Sequence, residues 1–499
     1  MQLVRCEYLI ADPDRLSDGV IADAALVIDG GRVAASGPWS RLKAEYGHLP
    51  SLGRPDGRLA VPGLVNAHHH GRGLSTLAMG IDDAPLESWL PGLLALAGLD
   101  IYANTACAAA RMLRSGVTAS IHSHAGGGSF DAYEKNVEQT LRAYHDVGVR
   151  VALAMSVADQ QLLAYLPDRT LIAQAPEPTR AHVARWFALS RPYIEAAEYF
   201  TLFDRFLRRC GEGGQYRRAR VMLNPRGPQW ASDDLLRQVA AEARRTGAGV
   251  HFHLLETSLQ RTVARRRWQT NAVEALDRFG LLGPRTSVAH AVWVDEVDID
   301  RLAASGTSVV TNTSSNLRLG SGLAPLQAFR QRHVNVAIGM DSADLFGDED
   351  MWKEMRLLAA VHRTPAQRGL WLSPYEVLRM ATVAGARAAL LEGEVGRLLP
   401  GYRADVTILN LRRLRAPYLD PGADEVGLAL TLAQASDVDT VMVDGDVLVR
   451  SGAFTRLDFD ALASAVAASA RTAEPLRQEV ASMLPALRAY LDTVYEGWT

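Results

Sequence analysis

Short apolar runs that end on polar residues recur along the middle of the chain, from about residue 59 to residue 390. Stretches of helical period separate them, most clearly at 235–245, 272–279 and 325–332. The runs end at His70, at Ile121-His-Ser-His124, at Ala152-Leu-Ala-Met-Ser156 and at Val221-Met-Leu-Asn-Pro225. They continue over 249–255, 286–290, 308–312 and 334–341. Eight strand–helix units predict an α/β fold, a parallel (β/α)8 barrel of the TIM type, over 59–390. A doubly wound sheet is the competing layout, but it wants a glycine-rich phosphate turn after the first strand, and none is there.

The two ends of the chain read differently. Residues 1–58 and 391–455 hold short strands, and Asp-Gly turns at 29–30 and 444–445 sit between apolar runs, a hairpin signal. These ends are expected to pair into one small β-sandwich domain. The unit after Ser156 is longer than the others, with helical patterns inside 157–219. Loops after barrel strands lie over the mouth, so this insertion is a candidate lid or oligomer contact; surface decoration is the alternative. The tail, 456–499, is helical in period, and no chemistry is assigned to it.

Composition narrows the class. At 499 residues, 48% hydrophobic and 22% charged, the chain suits a globular protein of one large and one small domain. A net charge of −3 with no basic tract gives no reason to expect a nucleic-acid partner. No apolar run is long enough to cross a membrane, and the first residues lack a signal-peptide plan. Cys6, Cys107 and Cys210 are widely separated, which fits a reducing cytosol. A cytoplasmic enzyme acting on a small molecule, as a homo-oligomer (dimer or larger), is the expectation.

The chemistry sits at the strand ends. Alternation along a strand puts His68 and His70 on one face and His69 on the other. His253 and Glu256 end the fifth unit, His290 the sixth and Asp341 the eighth, and a barrel brings these ends to one mouth. Three neutral imidazoles and one carboxylate suit a divalent ion such as zinc, with a position left for water. Such an ion lowers the pKa of water to about 7. Asp341 can take the proton of that water, Glu256 can carry a proton to the leaving group, and His290 can bond the hydroxide or the developing oxyanion. His251 shares a strand face with His253, so spacing alone leaves the donor between them open.

Five segments, Pro62-Gly-Leu-Val-Asn-Ala-His-His-His70, His251-Phe-His-Leu-Leu-Glu-Thr257, Ala289-His-Ala-Val-Trp293, 312–322 and Gly339-Met-Asp-Ser342, resemble the amidohydrolase superfamily in order and kind. The likeness is to its branch of cytosine, guanine and S-adenosylhomocysteine deaminases and chlorotriazine hydrolases, and it spans about residues 1–455. The resemblance implies a mononuclear zinc or iron site with His68, His70, His253 and Asp341 as ligands, Glu256 as proton shuttle and His290 as a catalytic histidine. The family's histidine-x-x-glutamate pairing points to His253 over His251. Two-metal members use a carboxylated lysine on the fourth strand; 220–225 has no lysine, so a single ion is expected.

Substrate contacts are less defined. The branch commonly carries Leu-Arg-Gly where this chain has Ala78-Met79-Gly80. Trp89, His122, His124, Asn224, Arg226, Asn316 and Asp344 are candidates, each with a packing or ion-pair alternative. Hydrolytic deamination of a nitrogen heterocycle is the first functional expectation. Hydrolysis of an amide, urea, carbamate or ring-substituent bond at the same centre is the second. A non-catalytic barrel is the third, and the retained ligands and shuttle argue against it.

Overall fold

A computed structural model of the chain describes residues 1–53, 55–190, 192–341, 346–365 and 367–498. Eight parallel strands run in sequence order around a barrel: β1 (Leu64–His69), β2 (Val117–Ser123), β3 (Arg150–Ser156), β4 (Ala219–Asn224), β5 (Gly249–Leu254), β6 (Thr286–His290), β7 (Ser308–Thr311) and β8 (Val336–Ile338). The ring is brought together where the Asp341 amide donates to the His68 carbonyl at 2.9 Å. Period-two alternation explains the layering. On β5, Val250, Phe252 and Leu254 pack outward against helices, which leaves His251 and His253 for the interior. Small residues such as Ala119, Ala152, Ala154 and Ala337 fill the barrel with the short helix Gly385–Ala388.

The first apolar run, from about residue 59 to His70, divides at Gly63. Arg58–Pro62 belongs to a second sheet, where it pairs with Gln2–Ile10 and Val406–Asn410, and the barrel strand starts at Leu64. The crossing is tight. A Cβ on Gly63 would sit 2.1 Å from Thr118 Oγ1, so only glycine fits. This second, nine-stranded mixed sheet joins strands from both ends of the chain, and both Asp-Gly hairpins form within it. Within it Val4, Leu26, Ile28, Val406, Ile408 and Met442 share one core. Arg150 at the start of β3 ties the two sheets together through buried ion pairs to Asp405 and Asp444.

Above the barrel mouth lies a separate hydrophobic core. It is built from the segment after β1 (Met79, Leu86, Trp89), the insertion (Leu163, Tyr165, Leu171, Trp186) and the tail helix Glu474–Tyr495 (Met483, Leu487, Leu491, Tyr495). The insertion is thus packed into a roof that it shares with the tail. Among the described residues, no single helix is long and apolar enough to cross a membrane.

Candidate active site

The strand ends deliver their polar side chains to one point. His68, His70 and His253 each offer a ring nitrogen, and these lie within 4.8 Å of one another; His68, His290 and Asp341 satisfy the same limit. His70 Nε2 is 3.3 Å from Asp341 Oδ1 and 3.3 Å from His253 Nε2. His68 Nε2 is 3.8 Å from Asp341 Oδ1.

The outer nitrogens are held from behind. His70 Nδ1–H donates to the Ser123 carbonyl at 2.8 Å, and His253 Nδ1–H to the Arg226 carbonyl at 2.7 Å. His68 Nδ1 pairs with His251 Nε2 at 2.8 Å, and His251 Nδ1 with Ser287 Oγ at 2.7 Å. This pattern assigns protons to the Nδ1 atoms and leaves lone pairs on Nε2 of His68, His70 and His253. Two lone pairs 3.3 Å apart repel unless a cation lies between them. That spacing is also the edge of a tetrahedron about a zinc ion with bonds of about 2.0–2.1 Å. His68 Nε2 is buried with no hydrogen-bond partner in the protein. The donor set therefore fits a divalent cation. Both nitrogens of His251 are engaged with protein, so the structure places it behind His68 and His253 in front.

Electrostatics agree. Burial first, then the neighbouring imidazoles, pushes His68 well below the ordinary histidine value, and the same causes bring His253 to about 4. All are neutral donors at pH 7. Burial alone would raise the Asp341 carboxyl, yet His70, His290 and His253 around it and the Ser315 hydroxyl, 2.8 Å from Oδ2, hold it below the usual carboxylate range. Glu256 is the opposite case. Burial, with Asp341 and Glu87 nearby, raises it well above the ordinary carboxyl value, which favours its protonated form. Its Oε2 lies 3.5 Å from His290 Nε2, and His290 Nδ1 meets Asn316 Oδ1 at 2.8 Å.

The backbone is bent to make this possible. Arg226, Leu255, His290, Ala291 and Asp341 all have positive φ, uncommon outside glycine, and all lie just beyond or at a strand end. Such conformations cost on the order of 1–3 kcal/mol each and persist where surrounding structure enforces them.

Above this point opens a cavity of about 360 Å³, within the usual range of roughly 300–1,000 Å³ for small-molecule pockets. Its wall is largely leucine (Leu86, Leu90, Leu93, Leu94), with Trp89 and Trp230. Of the sequence candidates, Trp89, His122, His124 and Arg226 line it. Arg226 lies over the Trp230 ring at 4.6 Å and donates to Tyr193 Oη at 3.1 Å. His122 also meets Tyr144 Oη at 3.2 Å. Two candidates, Asn224 and Asn316, do not line it. Asn224 is fully buried off the cavity, its amide spent on Ser123 Oγ, the Ala154 carbonyl and the Arg226 N–H. Asn316 is fully buried too, and its Oδ1 meets His290 Nδ1 at 2.8 Å. Asp344 lies outside the described residues. His69 faces Glu349 at 3.0 Å, on the side away from the donors.

Sequence reasoning missed Arg72, which lines the cavity and is brought to about 10 by burial. Strand alternation does not reach it, because the strand ends at His69 and the chain turns at Gly71, φ 64. It also missed Glu87, which burial raises, and Ser315 behind Asp341.

Known proteins carry the same arrangement of chain. A pattern of the amidohydrolase family matches residues 59–448. A 5'-deoxyadenosine deaminase of Methanothermobacter thermautotrophicus is 32% identical over 457 residues, 89% of this chain and 93% of that one. An adenosine deaminase from Xanthomonas campestris, solved with bound zinc, has a TM-score of 0.77 at 24% identity and covers 95% of this chain and 98% of its own. An atrazine chlorohydrolase from Arthrobacter aurescens, also with zinc, has a TM-score of 0.78 at 22% identity, over 94% of this chain and 100% of that one. The two solved structures speak to the fold, whereas the family pattern spans well over half of the chain and contains every strand end described above. On that match, the chain belongs to the amidohydrolase family.

Proposed function

We propose that this protein is a metal-dependent hydrolase that removes the amino group of a nitrogen heterocycle, an adenine-type nucleoside first among them. The observation that carries the reading is the meeting of four donors, His68, His70, His253 and Asp341, beside the buried Glu256 carboxyl at the base of a cavity. These four residues hold one divalent ion, zinc in the first instance. When bound, such an ion lowers the pKa of water to about 7 and so provides a nucleophile at neutral pH.

The chain's own groups do the rest. Asp341 accepts the proton of the attacking water; Ser315 occupies its Oδ2 from behind and keeps the carboxylate in place. His290, with Nε2 between Glu256 and Asp341, steers that water, because Asn316 fixes its other nitrogen. Glu256 gives its proton to the ring nitrogen as water adds and regains one from the hydroxyl of the adduct as the carbonyl forms, while Asp341 hands the proton it took from water to the departing ammonia, so both carboxyls return to their starting states. Trp89, His122, His124 and Arg226 hold the heterocycle in the apolar wall. The nucleoside assignment is supported by the similarity to deaminases of 5'-deoxyadenosine and adenosine. The three unpaired cysteines support a reducing cytosol as its location, and a homo-oligomer remains part of the proposal.

The leucine wall favours a second reading, hydrolysis of an amide, urea, carbamate or ring-substituent bond at the same centre. One panel separates the two. Purified enzyme is given adenosine, 5'-deoxyadenosine and N-alkylated or chlorinated triazines, and ammonia, amine and chloride are assayed. Ammonia release from the nucleosides, lost after chelation and restored by zinc, is expected. Full activity after complete removal of metal refutes both readings; amine or chloride release without ammonia refutes the first.

A further inference from the structure

The tail helix and the segment after β1 enclose a buried carboxylate that the mechanism above does not use. Glu87 sits in the short helix Leu86–Trp89, 5% exposed, and the groups that bond it or lie beside it are Tyr165, Thr257 and Tyr495, with the Glu256 carboxyl further in. None of these is a cation. Burying a carboxyl away from water is costly unless its hydrogen bonds are met. Here they are met by two hydroxyls. Tyr165 Oη donates to Glu87 Oε1 at 3.1 Å, and Thr257 Oγ1 donates to the same oxygen in a short bond.

Those two donors lead to the shuttle. Thr257 follows Glu256 in the chain and caps the helix Ser258–Trp268. Tyr165 Oη accepts from Gln260 Nε2 at 3.3 Å, and Gln260 Oε1 accepts the backbone N–H of Glu256 at 2.9 Å. The tail closes the network from outside. Tyr495 Oη accepts the Tyr165 N–H at 3.0 Å, Ser88 Oγ donates to Asp492 at 3.0 Å, and Thr262 Oγ1 donates to the Trp498 carbonyl at 2.9 Å. The last turns of the chain thus touch the segment after β1, the insertion and the helix that follows Glu256.

We propose that Glu87 is a positioning residue: by accepting the Thr257 and Tyr165 hydroxyls it fixes the turn that aims Glu256, and the carboxyl-terminal helix clamps it through Tyr495. The inference rests on the reading of Glu256 as proton carrier. A misplacement of about 1 Å at such a group costs on the order of 10²-fold in turnover.

The test uses the zinc-loaded full-length enzyme and the substrate the panel identifies. Glu87→Ala lowers kcat by about 10²-fold while KM and zinc content stay within about twofold. Glu87→Gln, which keeps an accepting oxygen, stays within about threefold of wild type, since a neutral acceptor preserves most of each bond. Tyr165→Phe and Tyr495→Phe each remove one hydroxyl and no packing, so they decide the matter if Glu87→Ala does not fold; each lowers kcat several-fold. In a Glu256→Gln background, Glu87→Ala costs no further turnover, whereas a role in stability alone adds its full loss. Wild-type kcat in Tyr165→Phe and Tyr495→Phe, equal losses in Glu87→Ala and Glu87→Gln, or full additivity with Glu256→Gln each overturn the inference. If Glu256→Gln itself turns over normally, it is the assignment of Glu256 that falls.

Discussion

Replacing His251 by leucine separates a ligand from the residue that aims a ligand. The side chain is fully buried, its Nε2 lies 2.8 Å from His68 Nδ1, and it does not line the cavity. Leucine is near enough in volume to keep the packing but cannot accept a hydrogen bond. His68 Nδ1–H is then stranded, which costs about 1–3 kcal/mol for a buried donor. The imidazole also loses the contact that fixes its orientation and tautomer. Loss of such a partner typically weakens metal affinity by about 10- to 100-fold, equivalent to about 1.4–2.8 kcal/mol. The two estimates overlap because they describe one broken bond. A competition titration against a chromophoric zinc chelator reads the affinity directly, with His253→Leu as the comparison. His253→Leu is expected to retain no zinc through gel filtration, whereas His251→Leu retains it with the weakened constant. Unchanged affinity in His251→Leu, or zinc loss as complete as in His253→Leu, refutes the placement of the two histidines.

Asn316→Ala frees His290 Nδ1, and kcat should fall about tenfold with zinc content unchanged, since second-contact losses run to about that size; steady-state kinetics and metal analysis check it. Glu256→Gln should remove most turnover and leave zinc bound, and it should also change the pH dependence of stability. A carboxyl whose folded pKa is raised makes the folded state bind the extra proton, so stability is full below the unfolded value and declines as pH rises above it. Thermal melts of Glu256→Gln and wild type should therefore agree near the unfolded carboxyl value and diverge in favour of the variant as pH rises above it; a constant difference contradicts the raised value. At Gly339, an added Cβ would meet Asn312 Oδ1 at 2.3 Å and the His68 amide at 3.0 Å. Gly339→Ala should lose about 1–3 kcal/mol of stability and bind zinc more weakly, both readable in melts with and without metal.

The sequence disclosed what is periodic and what is repeated. Alternation put His68 and His70 on one face, the strand ends gave His253, Glu256, His290 and Asp341, the helix Ala272–Phe279 lies where its pattern put it, and the helices Thr179–Leu189 and Ala196–Arg209 fall inside the 157–219 stretch. Direction of a polar side chain was not disclosed. Asn224 ends β4 and Asn316 lies in the short helix Thr313–Arg318 after β7, but an amide can turn either way, and here Asn224 turned to Ser123 and Ala154 and Asn316 to His290. The choice between His251 and His253 has the same origin: both face the interior, and only the neighbours at Ser287 and Arg226 decide which ring nitrogen is left over.

The roof was the least legible part, and for a reason of the same physics. A helix announces that it has an apolar face, not what that face covers. The tail helix buries Val480, Met483, Leu487 and Leu491 against a segment about 400 residues earlier, with the insertion packed into the same core. Nothing local in either stretch encodes the pairing. It follows that divergence in this family can replace the roof without touching the donors below, because the barrel core and the roof core are separate clusters. Exchange of Leu93 or Leu94 for a polar residue is then expected to alter KM among substrates while leaving zinc content unmoved. A loss of zinc on that exchange would show that the two cores are coupled after all.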